Sequence, residues 1–195
     1  NPNGEVTLCD TAYTSHKPER NLITVQEAFD YLTNHPCSDA VITGGEPSSQ
    51  ASVVALIDHL EDAGKRVTIE TNGTQFFESK ATMISMSPKL STSAEGLKYW
   101  ADGNISEDTD HFLTRLFGDS VDKETIQKRY SKFYEVHQAN RYNLDSFKQF
   151  MDYYGPERYQ FKFVVNTKED IEEVVDKYQK PLNIPTENIW LMPQG

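Results

Sequence analysis

Val41-Ile42-Thr43-Gly44-Gly45-Glu46-Pro47 is the stretch on which the fold of this chain is read. The apolar run from Ala40 to Ile42 reads as a buried strand. It stops at a pair of glycines, a carboxylate and a proline. Downstream, Ala51, Val53, Val54, Ile57 and Leu60 share one face at helical spacing, and Gly64 is a natural C-terminal stop. Gly44, Gly45 and Glu46 therefore fall in a loop at the C-terminal end of a strand, where α/β sheets bind ligands. Glycine lets a ligand approach the backbone closely. Glu46 adds a negative charge suited to an ammonium group. An ordinary strand-to-helix turn has the same composition, so the loop alone leaves both readings open.

The rest of the chain repeats the strand-then-helix rhythm. Thr24 with Glu27 forms a capping box that opens a helix to about Asn34. Strand 40–43 and helix 50–63 follow, then strands 67–71 and 83–87. Residues 91–110 are polar and turn-rich and read as a long loop. Residues 122–153 read as helix in two pieces. Tyr130, Phe133, Tyr134 and His137 share spacing on one piece, and Leu144, Phe147, Phe150 and Met151 on the other. Strand 160–165 comes next, then a helix capped by Thr167 with Asp170 and running to about Tyr178, then strand 188–192. The class is α/β, with five to six parallel strands and outer helices in a single domain, 1–195. A partial (β/α) barrel fits this pattern, and so does an open doubly wound sheet.

Composition limits the function classes. The formal net charge of −11 argues against a nucleic-acid-binding surface. No apolar run approaches the roughly 20 residues of a membrane span, and no signal peptide is visible. Two cysteines do not make a disulfide scaffold, and a reduced, cytoplasmic location is the simple reading. The chain starts at Asn1 rather than Met, and its last strand pattern ends just short of Gly195. Native segments are expected beyond both ends.

Several further segments accompany the Thr-Gly-Gly-Glu-Pro loop in a fixed order. Cys9-Asp10-Thr11-Ala12-Tyr13-Thr14 lies upstream. Val67-Thr68-Ile69-Glu70-Thr71-Asn72-Gly73-Thr74 and Ile84-Ser85-Met86-Ser87-Pro88-Lys89 follow it. Gln160-Phe161-Lys162-Phe163-Val164-Val165 and Leu191-Met192-Pro193-Gln194-Gly195 come late. This ordered set resembles the radical S-adenosylmethionine (SAM) enzymes. Within them it is most similar to the 7-carboxy-7-deazaguanine synthase family of the queuosine and archaeosine pathways. The glycine loop is shared widely in the superfamily; the Cys-Asp-Thr-Ala-Tyr-Thr run and the Ser-Pro-Lys turn narrow the match.

The resemblance implies a radical SAM-type partial barrel and a lyase. Such an enzyme converts 6-carboxy-5,6,7,8-tetrahydropterin to 7-carboxy-7-deazaguanine, using a [4Fe-4S] cluster, S-adenosyl-L-methionine and Mg²⁺. It also implies a cytoplasmic homodimer served by an external electron donor, acting on a small pterin before any tRNA or membrane is involved. By the same resemblance Cys9 is a cluster ligand and Thr11 a Mg²⁺ ligand, with Asp10 beside them at the cofactor. Gly44, Gly45 and Glu46 hold the methionyl amino group, and Thr43 with Gly45 faces the substrate. Glu70, Thr71 and Asn72 reach the ribose or the methionyl carboxylate. Ser87, Lys89 and Gln194 complete the cofactor site, and Tyr13 packs near the adenine.

Some residues keep open readings. The superfamily spacing Cys-x3-Cys-x2-Cys puts Val6 where a thiolate is needed. The two remaining cysteines are then expected before Asn1; a cluster-less, non-catalytic nucleotide-binding relative is the alternative. An activating enzyme that forms a glycyl radical on a partner protein is another. Cys37 reads as a small packed residue rather than a ligand. Lys89 reads as a site cation or a solvated lysine. Lys162, in an otherwise apolar strand, reads as projecting into the barrel or as snorkelling. His137 and Arg141 lie one helical turn apart and, like His111, are given no catalytic role. The family's substrate-handling Gln-Gly-Glu-Gly segment and its C-terminal histidine are not in this sequence.

Overall fold

A computed structural model of the chain describes residues 23–93, 98, 101, 102 and 123–193. Cys9, Asp10, Thr11, Tyr13, His111 and Gln194 lie outside the described residues, as does most of 91–110. In chain order the elements are helix α1 (Val25–Asn34), strand β1 (Asp39–Ile42), helix α2 (Val53–Asp62), strands β2 (Arg66–Thr71) and β3 (Met83–Met86), helices α3 (Lys123–Asn140) and α4 (Leu144–Tyr154), strand β4 (Tyr159–Val165), helix α5 (Lys168–Glu173) and strand β5 (Ile189–Pro193). The described residues fall into two compact units, 23–88 with 143–193 and those within 89–142.

The first unit is built on a five-stranded sheet, every pair parallel, in the order β1-β2-β3-β4-β5. This order decides between the two architectures that the sequence allows. A doubly wound sheet reverses direction at a switch point, and the described strands have none. Right-handed crossovers in a sequential order carry every connection to the same face. The first unit is therefore a partial β/α fold whose described helices pack on one sheet face; on the other, helix-free face the unit's described residues place no helix.

Side-chain parity follows the same division. Val67, Ile69, Ile84, Met86, Phe161 and Phe163 are buried against the helices. Phe147 of α4 sits edge-on to Phe161, with ring centroids 5.8 Å apart, and to Tyr178 at 5.9 Å. Phe163 meets Tyr178 at 5.2 Å. Phe76 and Phe77 of the loop after β2 meet Phe150 at 5.0 and 5.5 Å. Edge-to-face pairs of this kind add about 0.5–1.5 kcal/mol each beyond the burial of their area. Phe147 and Phe150 are fully buried within their own unit.

Local signals held where they were strongest. Both arms of the Thr24–Glu27 capping box are formed, and both arms of Thr167–Asp170. The helix opened by Thr167 runs past Tyr178, through wider π-type turns at Val174–Gln179, to Leu182, where Asn183 takes a left-handed φ of 52°. Glu61, at the end of α2, was unremarked in the sequence. Its carboxylate accepts the N–H groups of Val67 (2.7 Å) and Thr82 (2.6 Å) and the Thr82 hydroxyl (3.1 Å), so it ties together the starts of β2 and β3.

In the second unit, α3 continues to Asn140, and Arg141 donates from Nε to Gln138 Oε1 (2.7 Å) while its guanidinium lies 3.9 Å from the centroid of the Tyr142 ring. His137 Nε2 is 3.2 Å from Ser93 Oγ, and its Nδ1 is buried without a hydrogen-bond partner among the described residues. Burial holds the His137 pKa below its ordinary value, and the positive charges of Arg141 and Lys89 push it further down.

Two outcomes are expected. Gly73 has φ +73°, and a Cβ there would overlap Phe147 Cε1 and lie 2.9 Å from Cδ1 of the same ring. Gly73→Ala should therefore cost about 2–4 kcal/mol in denaturant unfolding, from left-handed backbone strain and overpacking combined. The His137 imidazole should titrate below about 6.5 by NMR, and Arg141→Gln should raise its midpoint. A midpoint at or above the ordinary value would contradict the buried placement.

Candidate functional site

Glu46 occupies the first turn after β1, where it caps the short 3₁₀ turn Pro47–Ser49. Its Oε1 accepts the Thr71 hydroxyl at 2.6 Å and the Ser48 N–H at 3.1 Å. Its Oε2 accepts the Asn72 N–H at 2.7 Å. The Thr71 hydroxyl in turn accepts the Gly73 N–H at 3.1 Å, and the Thr71 carbonyl accepts the Ser87 N–H at 2.7 Å. One carboxylate thus joins the loops that follow β1 and β2, and the next bond reaches the end of β3. A carboxylate offers about four acceptor sites. Three of those on Glu46 are taken by its own chain, leaving about one for a ligand.

The loop after β2 is fixed from a second side. Asn143, at the N-cap of α4, donates from Nδ2 to the Thr74 carbonyl at 2.8 Å. Ser146 Oγ donates to the Gly73 carbonyl at 2.8 Å. Asn72 Oδ1 accepts the Thr74 N–H at 2.9 Å and its hydroxyl at 2.7 Å, closing an Asx turn. Gly44, by contrast, has φ +149°, and a Cβ there would meet no atom of the described residues within 4 Å. Its backbone demands glycine, and open space lies beside it. The strand ends thus combine a rigid polar rim with room for a ligand at the glycine turn.

Of the residues that the sequence predicted, the structure gathers Thr43, Gly44, Gly45, Glu46, Thr71, Asn72 and Ser87 at the C-terminal ends of neighbouring strands. Lys89 belongs to the other unit and is exposed there. Sequence reasoning missed Asn143 and Ser146, which act on the loop from about 70 residues away; a helix N-cap is the only signal they carry.

The helix-free face of the sheet continues the site inward. By register, Glu70 lies level with Ser85 and Gln160. Glu70 Oε1 pairs with Lys162 Nζ at 3.2 Å, and its Oε2 is 3.4 Å from the Thr43 hydroxyl. Gln160 Nε2 donates to Ser85 Oγ at 3.0 Å. Lys162 thus projects from the helix-free face and engages a carboxylate instead of snorkelling.

Cys37 corrects one expectation. It does not pack as a small apolar residue; its thiol is exposed, just before β1. That is the end of the sheet opposite the glycine loop. Its N–H donates to His35 Nδ1 at 3.3 Å, and Lys65 Nζ donates to its carbonyl at 2.5 Å. The described residues hold no group of three or more His, Cys, Asp or Glu able to bind a metal ion. They place no thiolate at the strand ends, so an iron–sulfur cluster there would depend on Cys9, outside them. For a nucleotide the fit is better: open space at Gly44, a carboxylate with about one free acceptor site, and hydroxyl and amide groups on the rim.

Glu46→Ala should leave the Thr71 hydroxyl and the Asn72 N–H without their acceptor. The expected cost is about 1–3 kcal/mol, with faster amide exchange at Asn72 and Gly73. Unchanged exchange at those amides would show that the loops hold without the carboxylate.

No family model matches the chain. Individual proteins do. A Rhodopirellula baltica protein named 7-carboxy-7-deazaguanine synthase is 30% identical over 188 residues, covering 96% of this chain and 60% of its own. One of the same name from Halobacterium salinarum is 26% identical over 194 residues, covering 96% and 64%. A third, from Bacteroides thetaiotaomicron, is 37% identical over 87 residues, covering 45% of each chain. The chain thus spans about three-fifths of the length of the first two relatives. The similarity spans 96% of the chain, and by sequence this chain is a relative of the 7-carboxy-7-deazaguanine synthases.

Proposed function

We propose that this protein is a radical SAM lyase that converts 6-carboxy-5,6,7,8-tetrahydropterin to 7-carboxy-7-deazaguanine, a cytoplasmic step of queuosine and 7-deazapurine biosynthesis. The observation that carries the reading is the similarity to proteins of that name over 96% of the chain. Its support in the fold is that Thr43, Gly44, Glu46, Thr71, Asn72 and Ser87 cluster at the strand ends, where β/α sheets bind ligands. Among the described residues no helix is long and apolar enough to cross a membrane.

The bound [4Fe-4S] cluster would supply the electron that starts radical chemistry on S-adenosyl-L-methionine. Cys9 would hold it, beside Asp10. The chain's own part is positioning. Gly44 opens the loop for close approach, and Gly45 carries the backbone on to Glu46. Glu46 keeps about one acceptor site for the methionyl ammonium while its other bonds hold the loops still. Thr71, Asn72 and Ser87 line the neighbouring rim; Lys89 and Gln194 join the cofactor site on the family resemblance alone. Thr43 would face the pterin. Thr11 would give Mg²⁺ one oxygen, and a hard cation accepts further oxygens from substrate carboxylate and water. A homodimer and an external electron donor complete the proposal.

The test is turnover by the anaerobically reconstituted full-length protein. Product should form only with S-adenosyl-L-methionine, a reductant and Mg²⁺. Cys9→Ala should lose the iron–sulfur absorbance. Thr11→Ala should keep it while needing more Mg²⁺ for the same rate. A cluster retained in Cys9→Ala, or a rate indifferent to chelation, would overturn the respective assignment.

A further inference from the structure

The five strands carry four charged residues in all: Asp39, Arg66, Glu70 and Lys162. All four lie on the helix-free face. Arg66 pairs with Asp39 at 2.6 Å, at the N-terminal ends of the strands. That is four residues, or roughly 13 Å, along β2 from Glu70. Among the described strand residues Lys162 is therefore the cation of this face nearest the glycine loop. It reaches Glu70 across β3: the register puts Ser85 level with Glu70 and with Gln160, two residues before Lys162, so the pair meets on a diagonal. Neighbouring strands are about 4.8 Å apart, so both side chains must extend over an intervening strand to meet.

This pair contributes little to the fold. Its side chains are 34% and 40% exposed, and such pairs add little stability. Among the described residues the Lys162 ammonium makes one hydrogen bond, to Glu70, although an ammonium has three donors. The overall charge of the chain is −11, which disfavours anions. An anionic ligand reaching the strand ends from this face needs a local cation, and the nearest one is already neutralised.

We propose that Lys162 is the carboxylate receptor of this site and that Glu70 is its displaceable internal counter-ion. The inference rests on the reading that a small carboxylate-bearing ligand binds at the strand ends. With the site empty, Glu70 holds Lys162 extended across β3 and keeps the face neutral. On binding, the ammonium leaves Glu70 for the ligand carboxylate. Glu70, released, turns to the Thr43 hydroxyl, which it already approaches. The carboxylate has two possible sources, the methionyl group of S-adenosyl-L-methionine and the pterin 6-carboxylate.

Calorimetric titration of the full-length holoprotein separates them with two ligand pairs. One pair is S-adenosyl-L-methionine and its decarboxylated form; the other is 6-carboxytetrahydropterin and 6-methyltetrahydropterin. Lys162→Met should weaken the carboxylated member of one pair by roughly ten- to a hundredfold and leave its carboxylate-free partner unchanged. Lys162→Arg should keep most of the binding. Glu70→Gln should tighten the same carboxylated ligand several-fold by freeing the ammonium. The pair that responds identifies the source. Equal weakening of both members, no weakening, or weaker binding in Glu70→Gln overturns the proposal. Should Lys162→Met not fold, the sign of the Glu70→Gln effect decides alone. A wild-type protein that binds neither pair overturns the functional reading itself, and this inference with it; binding that is blind to the carboxylate overturns only the inference.

Discussion

The Glu46 carboxylate is the interaction on which the strand ends depend. It stands one turn past β1 and accepts the Thr71 hydroxyl and the Asn72 N–H from the end of β2. Without it, the loops after β1 and β2 would have to find other acceptors for part-buried donors, at about 1–3 kcal/mol for each one left unpaired. Its bonds also explain why the adjoining Gly44 can be left with empty space beside it. Rigidity on one side of the loop permits openness on the other. A ligand meets a preformed rim and does not pay to order it.

Glu61 plays the matching part at the opposite end of the sheet, where it joins the first residues of β2 and β3. Glu61 holds the register of β2 and β3 at their starts, and the Ser87 N–H to Thr71 carbonyl bond, beside the residues that Glu46 braces, holds it at their ends. A parallel sheet needs such ties, because its strands lack hairpins to set their register and a slip of one residue reverses every side chain. The reversal would be severe here. It would bring Glu70 and Thr68 under the aromatic layer of Phe147, Phe161 and Phe163, and turn Val67 and Ile69 to the helix-free face.

How legible this was in the sequence depended on the range of the contact. Thr24–Glu27 and Thr167–Asp170 act over three residues, and both capping boxes were readable and formed. The strands were readable within a residue or so at each end, because apolar runs bounded by polar turns leave little choice. Sheet order was not: a partial barrel and a doubly wound sheet share the same local pattern, and only the pairing of β3 with β4 across more than 70 residues separates them. Glu46 was visible as a site residue by its loop, but its three donors were not, since two of them arrive from the end of another strand. Asn143 and Ser146 gave no sign beyond a helix start. Cys37 was misjudged because burial of a lone cysteine is a tendency of the residue type, whereas its place before β1 exposes it.

The helix-free face shows what the aromatic core leaves over. Large rings on β4 alternate with Gln160 and Lys162, so packing one face with Phe161 and Phe163 forces the polar residues together on the other. A protein that needed only a stable sheet would place small or β-branched residues there. This one places an amine and a carboxylate two strands apart and lets them meet diagonally across β3. The arrangement adds little stability, yet it keeps a lysine extended toward the C-terminal end of the sheet, the end that carries the loop Glu46 braces. Core packing, strand register and loop bracing thus converge on the same end of the sheet, and the groups that stabilise least are the ones best placed to bind.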